Sequence, residues 1–102
     1  MYNLGESMKL LIFSLMIIDA GTYQEYRNQI KPVMERYGIT VKYEYTINSV
    51  LNSDQLEDQV NRLAVFEYPD QFNIDTFFND PDYQKAKPLL LASSENVTVI
   101  FK

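Results

Sequence analysis

The chain has 102 residues and contains no histidine, cysteine or tryptophan. This length allows one hydrophobic core and one domain. The missing residue types exclude a disulfide framework, a thiol nucleophile, a Ser-His-Asp triad and a histidine-ligated haem or zinc. The formal net charge is −5. This acidic balance argues against nucleic acid as a partner, because phosphate contacts need clustered Lys and Arg.

The longest apolar run is Leu10–Ile18, which is shorter than the roughly 18 apolar residues of a membrane span. We therefore expect no membrane partner. The run is either the apolar region of a secretory signal, with Ala20 before the cut, or a buried strand. Glu6 favours the strand, because a signal carries positive charge at that place. We expect residues 1–8 to form a loose arm and residues 9–102 to form a single cytoplasmic domain.

Helix and strand patterns follow this run. Thr22 and Glu25 have the spacing of a capping box at a helix start. Apolar residues then recur every three or four positions up to Tyr37, and Gly38 follows, which is typical of an amphipathic helix ended by a left-handed glycine. Strict alternation from Ile39 to Ile47 predicts a strand with one buried face and one wet face.

The second half of the chain contains two more strands and more helix. The polar stretch Ser49–Val60 predicts a loop, and Arg62–Tyr68 predicts a strand. Asp70 is expected to cap a short helix. Asp80, followed by proline, predicts the start of a longer helix. A turn and a last strand, Val97–Phe101, complete the pattern.

The order β-α-β-β-α-β predicts an α+β, ferredoxin-like fold. Its four-stranded antiparallel sheet has both helices on one face. The other face would leave tyrosines and isoleucines in water, and a few hundred Å² of exposed apolar sheet costs several kcal/mol at about 25 cal/mol per Å². We therefore expect a homodimer that forms through the open sheet face.

A series of short motifs runs through the chain from Lys9 to Lys102. In order, they are Asp19-x-x-x-Tyr23-x-x-Tyr26, Tyr37-Gly38, Val50-Leu51, Phe66-Glu67-Tyr68-Pro69, Asp80-Pro81-Asp82-Tyr83-Gln84, Lys87-Pro88-Leu89 and Ala92-Ser93. The series resembles a bacterial family known as domain of unknown function 1330, in the dimeric α/β-barrel superfamily. The resemblance implies a ferredoxin-like protomer and a dimer whose sheets close back to back. It implies no established reaction.

Several positions depart from the family pattern. Where the family often has Gly-Gly, Glu-Gly, Arg and Trp, this chain has Tyr45-Thr46, Asn52-Ser53, Leu90 and Phe77. The family's Glu and Arg are the charged groups that one would expect in a polar pocket, and this chain lacks both. An activity found for a relative therefore does not transfer directly to this chain.

Four tyrosines and one glutamate are the candidate ligand-binding residues: Tyr26, Tyr43, Tyr45, Tyr83 and Glu67. The tyrosines would line a pocket between sheet and helices, or they are core and interface aromatics with hydroxyls at a wet edge. If Glu67 faces inward, desolvation raises its pKa and it serves as a general base. If it faces outward, it is a solvated charge.

Two functions remain open. One is a dimeric domain that binds a small aromatic or apolar ligand without an established reaction. The other is a cofactor-free oxygenase or isomerase acting on a phenolic or enolisable substrate, which rests on fold analogy. We expect no cofactor and no metal. The acidic residues Asp54, Glu57 and Asp58, and the pair Asp80 and Asp82, lack the spacing of an EF-hand and are interpreted as a solvated loop and a helix cap.

Overall fold

The computed structural model describes residues 7–52 and 59–101. Within them, four strands and three helices follow the chain order β1, α1, β2, β3, α2, α3, β4. Their bounds are Met8–Ile17 (β1), Ala20–Arg36 (α1), Thr40–Thr46 (β2), Arg62–Pro69 (β3), Asp75–Phe78 (α2), Pro81–Ser93 (α3) and Ser94–Phe101 (β4). The antiparallel sheet has the order β2-β3-β1-β4. This arrangement confirms the ferredoxin-like α+β fold.

The apolar run forms β1, which pairs with β3 on one side and β4 on the other. Alternate residues Leu11, Phe13 and Leu15 are buried under the helices, because side chains on a strand alternate between faces. Leu10 points to the opposite, open face and is half-buried. Met8, which we assigned to a loose arm, is the first residue of β1. No helix in the described ranges is long and apolar enough to cross a membrane.

Helix α1 begins earlier than the capping-box pattern indicated. Asp19 is the N-cap, and Thr22 lies inside the first turn. The Thr22 amide donates to Asp19 Oδ1 at 3.1 Å, and the Thr22 hydroxyl donates to Asp19 Oδ2 at 2.8 Å. The prediction of Thr22 as the cap was wrong, because the carboxylate three residues earlier accepts from both groups.

The end of α1 confirms the glycine signal. Gly38 has φ +72°, a conformation that a residue with a Cβ adopts only at a cost. Its amide donates to the Glu35 carbonyl, and the Ile39 amide donates to the Met34 carbonyl. These two bonds form a Schellman motif, which satisfies carbonyls that the helix end would leave unpaired.

Strand β2 does not keep the single buried face that its alternation predicted. Val41 lies opposite Phe66, and Tyr43 lies opposite Val65, so Lys42 is an extra residue in the ladder. A bulge of one residue exchanges the faces of all later side chains. Val41 therefore points to the helix side, whereas Tyr43 and Tyr45 point to the open face.

Of the two aspartates predicted to cap helices, only one does so. Asp70 does not cap α2: its carboxylate lies 3.4 Å from Lys9 Nζ, and Asn73 Oδ1 accepts from the first amide of α2 instead. Asp80 is the N-cap of α3, as predicted, and accepts from the Asp82 amide at 2.8 Å.

The turn expected before the last strand is absent from the junction of α3 and β4. Ser94 follows Ser93 directly in an extended conformation and begins β4. The buried Ser93 carbonyl accepts from the amides of Ile18 and Asp19 at 2.8 and 3.2 Å. These bonds connect the junction to the turn between β1 and α1. The polar residues 93–96 were predicted to form a turn. Instead, α3 passes directly into β4, and backbone hydrogen bonds hold the junction in place.

Candidate functional site

A cavity lies between the helices and the helix-covered face of the sheet. Its lining includes Leu11, Phe66, Tyr23, Tyr26, Met34 and Leu90. The lining is apolar or aromatic apart from Arg27. The volume is about 10 Å³, which is room for about one water. A larger guest therefore requires lining side chains to move, and the unbranched Met34 is the one best suited to do so.

Two of the predicted tyrosines contact each other between the helices and the sheet. The hydroxyl oxygens of Tyr26 and Tyr83 lie 3.2 Å apart, and the rings pack edge to face. Burial raises the pKa of both hydroxyls, and the neighbouring Tyr83 adds to the rise for Tyr26. Both hydroxyls are therefore neutral at neutral pH. They can donate and accept hydrogen bonds, but neither is a base at neutral pH.

A charged group lies beside the cavity, and we call it the arginine cluster: Tyr23, Arg27, Glu44 and Arg62. Arg27 Nη1 and Arg62 Nη1 donate to the same oxygen, Glu44 Oε2, at 2.8 and 2.7 Å. Arg27 Nη1 also lies 3.2 Å from the Tyr23 hydroxyl. Both guanidiniums lie over the Tyr23 ring, 5.9 and 5.7 Å from its centre.

Local structure explains how the cluster assembles. Tyr23 and Arg27 are one turn apart on α1 and so share a helix face. Arg62 begins β3 opposite Leu15, which faces the helices. The bulge at Lys42 places Glu44 on the same side. Burial alone would raise the pKa of Glu44, but hydrogen bonds from Arg27 and Arg62 outweigh this effect and lower it. The carboxylate is therefore ionised at neutral pH.

The other three predicted site residues lie on the opposite face of the sheet. Tyr43 and Tyr45 stack with ring centres 6.2 Å apart, and each is about half exposed. Glu67 lies opposite Leu10 and accepts from Lys42 Nζ at 2.9 Å. The structure thus separates Tyr43, Tyr45 and Glu67 from the Tyr26–Tyr83 pair. Glu67 does not face the cavity, and the pocket carries no general base at that position.

Sequence reasoning missed Arg27, Glu44 and Arg62. The i, i+4 spacing of Tyr23 and Arg27 was a usable signal, because it places both on one helix face. Glu44 was hidden by the bulge, since uninterrupted alternation assigns it to the wet face. The acidic residues Asp54, Glu57 and Asp58, assigned to a solvated loop, lie outside the described residues.

A second polar cluster joins the end of α1 to the start of α3. The buried Asp80 carboxylate accepts from the Tyr37 hydroxyl at 2.6 Å and from Arg36 Nη1 at 2.7 Å. Bonds from Tyr37 and from the Asp82 amide lower the pKa of Asp80. Every polar contact here connects the two helices or caps α3, so we assign the cluster to the fold.

The sequence pattern of a family described as a domain of unknown function (DUF1330) matches residues 9–102. The chain belongs to this family. No curated protein matches the chain. The family has no established reaction, and its structural relatives below are described as proteins of unknown function.

Solved structures of low sequence identity share the family's fold. A protein of unknown function from Rhodopseudomonas palustris is 19% identical, with a TM-score of 0.80 over 96% of this chain and 84% of that chain. A dimeric ferredoxin-like protein from Jannaschia sp. CCS1 is 14% identical, with a TM-score of 0.63 over 94% and 98%. Another dimeric ferredoxin-like protein, from Thermobifida fusca, is 8% identical, with a TM-score of 0.60 over 100% and 94%.

Proposed function

We propose that this protein is a homodimeric binding domain that holds a small aromatic or apolar ligand between its sheet and its helices. The observation that carries the proposal is the apolar cavity beside the arginine cluster. Binding sites for small molecules combine apolar linings with a few placed polar groups. Here Tyr23, Tyr26 and Arg27 supply those groups.

The open face supports the dimer. It carries half-buried or exposed apolar side chains from neighbouring strands, among them Leu10, Tyr43, Tyr45 and Ile100. Covering such a face is favourable because apolar surface leaves water. The relatives from Jannaschia and Thermobifida are described as dimeric, and a second copy of this chain offers the same apolar face. We further propose a cytoplasmic location, which the use of the apolar run as a central strand supports.

Thermal unfolding with and without a panel of small aromatic and aliphatic compounds tests the ligand proposal. We expect at least one compound to raise the Tm, because binding to the folded state stabilises it. Leu90 and Leu91 offer a matched pair: Leu90 lines the cavity, whereas Leu91 is exposed. Leu90→Phe should remove the Tm shift by filling the cavity, and Leu91→Phe should keep it.

A second variant guards against a misfolded Leu90→Phe protein. Leu90→Ala enlarges the cavity and should increase the Tm shift of bulkier compounds. If no compound changes the Tm of any of these proteins, the ligand proposal is wrong.

Light scattering tests the dimer separately. We expect the mass of two protomers at micromolar concentration. Tyr43→Lys places a charge on the open face and should give the mass of a monomer. Lys85→Glu, on the exposed face of α3, should keep the mass of a dimer. A wild-type mass near 12.0 kDa would refute the dimer.

A further inference from the structure

The arginine cluster carries more positive charge than its own carboxylate neutralises. Arg27 and Arg62 share a single oxygen of Glu44, at 2.8 and 2.7 Å. Arginine is always protonated in proteins, and Glu44 is ionised at neutral pH. Two cations and one anion give the cluster a net charge of about +1. The three side chains are half-buried, so water screens this charge less than it would at the surface.

The cluster also has hydrogen-bond donors to spare. A guanidinium has five N–H groups, and Glu44 takes only one from each arginine. Arg62 Nε is buried and has no hydrogen-bond partner within residues 7–52 and 59–101. A buried donor without a partner is costly, so an acceptor that reaches Arg62 Nε would remove that cost.

The cluster adjoins the cavity through Arg27 and Tyr23, which line it, while Arg62 lies over the Tyr23 ring. Arg27 belongs to the cavity lining, and its guanidinium lies 5.2 Å from the centre of the Phe66 ring, which also lines it. The Tyr23 ring, which would attract a ligand cation, is already covered by Arg27 and Arg62. The site therefore disfavours a cationic ligand and offers spare donors to an anionic one.

We propose that the ligand of this cavity is a small aromatic or aliphatic carboxylate, whose apolar body enters the cavity as lining side chains move and whose carboxylate binds Arg27 and Arg62. The inference rests on the proposed function and specifies its ligand class. A carboxylate suits the site because its two oxygens match the planar fork of a guanidinium. Glu44 holds the two arginines together before the ligand arrives.

A matched pair of probes tests the charge requirement on the wild-type protein. 3-Phenylpropanoate and 3-phenylpropan-1-ol share an apolar body and differ in the carboxylate. By titration calorimetry at low salt we expect the carboxylate to bind at least about tenfold more tightly than the alcohol, because charge-assisted hydrogen bonds are the stronger ones. This advantage should shrink as salt is added.

Variants locate the effect. Arg62→Gln should reduce the affinity for 3-phenylpropanoate to that for the alcohol, and Lys85→Gln, the same charge change on an exposed helix position, should not. Glu44→Gln keeps a side-chain oxygen that can accept from both arginines but removes its negative charge. It should therefore tighten 3-phenylpropanoate binding while leaving the alcohol unchanged. Circular dichroism of each variant checks that it folds. An unchanged probe ratio in both folded variants overturns the assignment to this cluster.

The outcomes separate this inference from the proposed function. If the alcohol binds as tightly as the carboxylate, a ligand site exists and the carboxylate inference is wrong. If neither probe binds and the wider panel also fails, the proposed function is wrong and the inference fails with it. The wild-type comparison needs no variant, so a misfolded variant does not remove the test.

Discussion

The two faces of the sheet use the same residue types for different purposes. On the helix side, Tyr26 and Tyr83 are buried and bond to each other. On the open side, Tyr43 and Tyr45 stack on each other and remain about half exposed. A tyrosine therefore does not mark a pocket by its presence. Backbone register decides the role of Tyr43 and Tyr45 on β2, whereas Tyr26 and Tyr83 lie on the buried faces of α1 and α3.

The largest expected effect comes from neighbouring leucines on opposite faces of β1. Leu11 is 1% exposed beneath the helices, and Leu10 faces the open side. Leu11→Ala should lower the free energy of unfolding by about 3 kcal/mol, because it leaves a cavity in the core. Urea denaturation at several protein concentrations measures it.

Leu10→Ala is the matched control. Its effect should shrink as the protein is diluted, because the lost contact belongs to the proposed dimer interface and stabilises only the dimer. Equal, concentration-independent losses for Leu10→Ala and Leu11→Ala would contradict the distinction between the faces.

A smaller effect is expected at the buried tyrosine pair. Tyr26→Phe or Tyr83→Phe leaves a buried hydroxyl without its partner and should cost about 1–2 kcal/mol. The double variant should cost less than the two single variants together, because both hydroxyls are then gone. Tyr45→Phe on the open face serves as the control and should change little. Additive losses in this double-mutant cycle would show that the hydroxyls do not stabilise each other.

The smallest effect is a change in acid stability at Asp80. Hydrogen bonds from Tyr37 and the Asp82 amide hold its pKa below the ordinary 3.8. The resulting stabilisation is therefore complete above that pH and is lost as the pH falls through the folded pKa. Asp80→Asn keeps a capping side chain, so it should flatten the acid limb of the stability curve, measured by urea unfolding at a series of pH values. Asp75→Asn, at an exposed position, should leave the limb unchanged.

Local signals were enough for most of the fold. Gly38 and Asp80 mark helix ends through their own backbone or side-chain chemistry, and β1 follows from a short, continuous apolar run. The Lys42 bulge had no such signal, because Lys42 fits the alternation as well as any polar residue would. The bulge at this one position is the reason that Tyr43 and Tyr45 face the open side of the sheet and Glu44 faces the helices. The arginine cluster depends on contacts between α1, β2 and β3, which no local pattern encodes.

The pairing of β1 with β4 has a consequence for folding kinetics. The ladder joins Leu11 to Phe101, at opposite ends of the described chain. Contacts between residues so distant in sequence form slowly, because a long loop must close first. Until β4 arrives, the most apolar strand of the protein has an unpaired edge. Such an edge is a template for association between chains, so refolding yield should fall as the protein concentration rises, whereas the stability of the proposed dimer should rise.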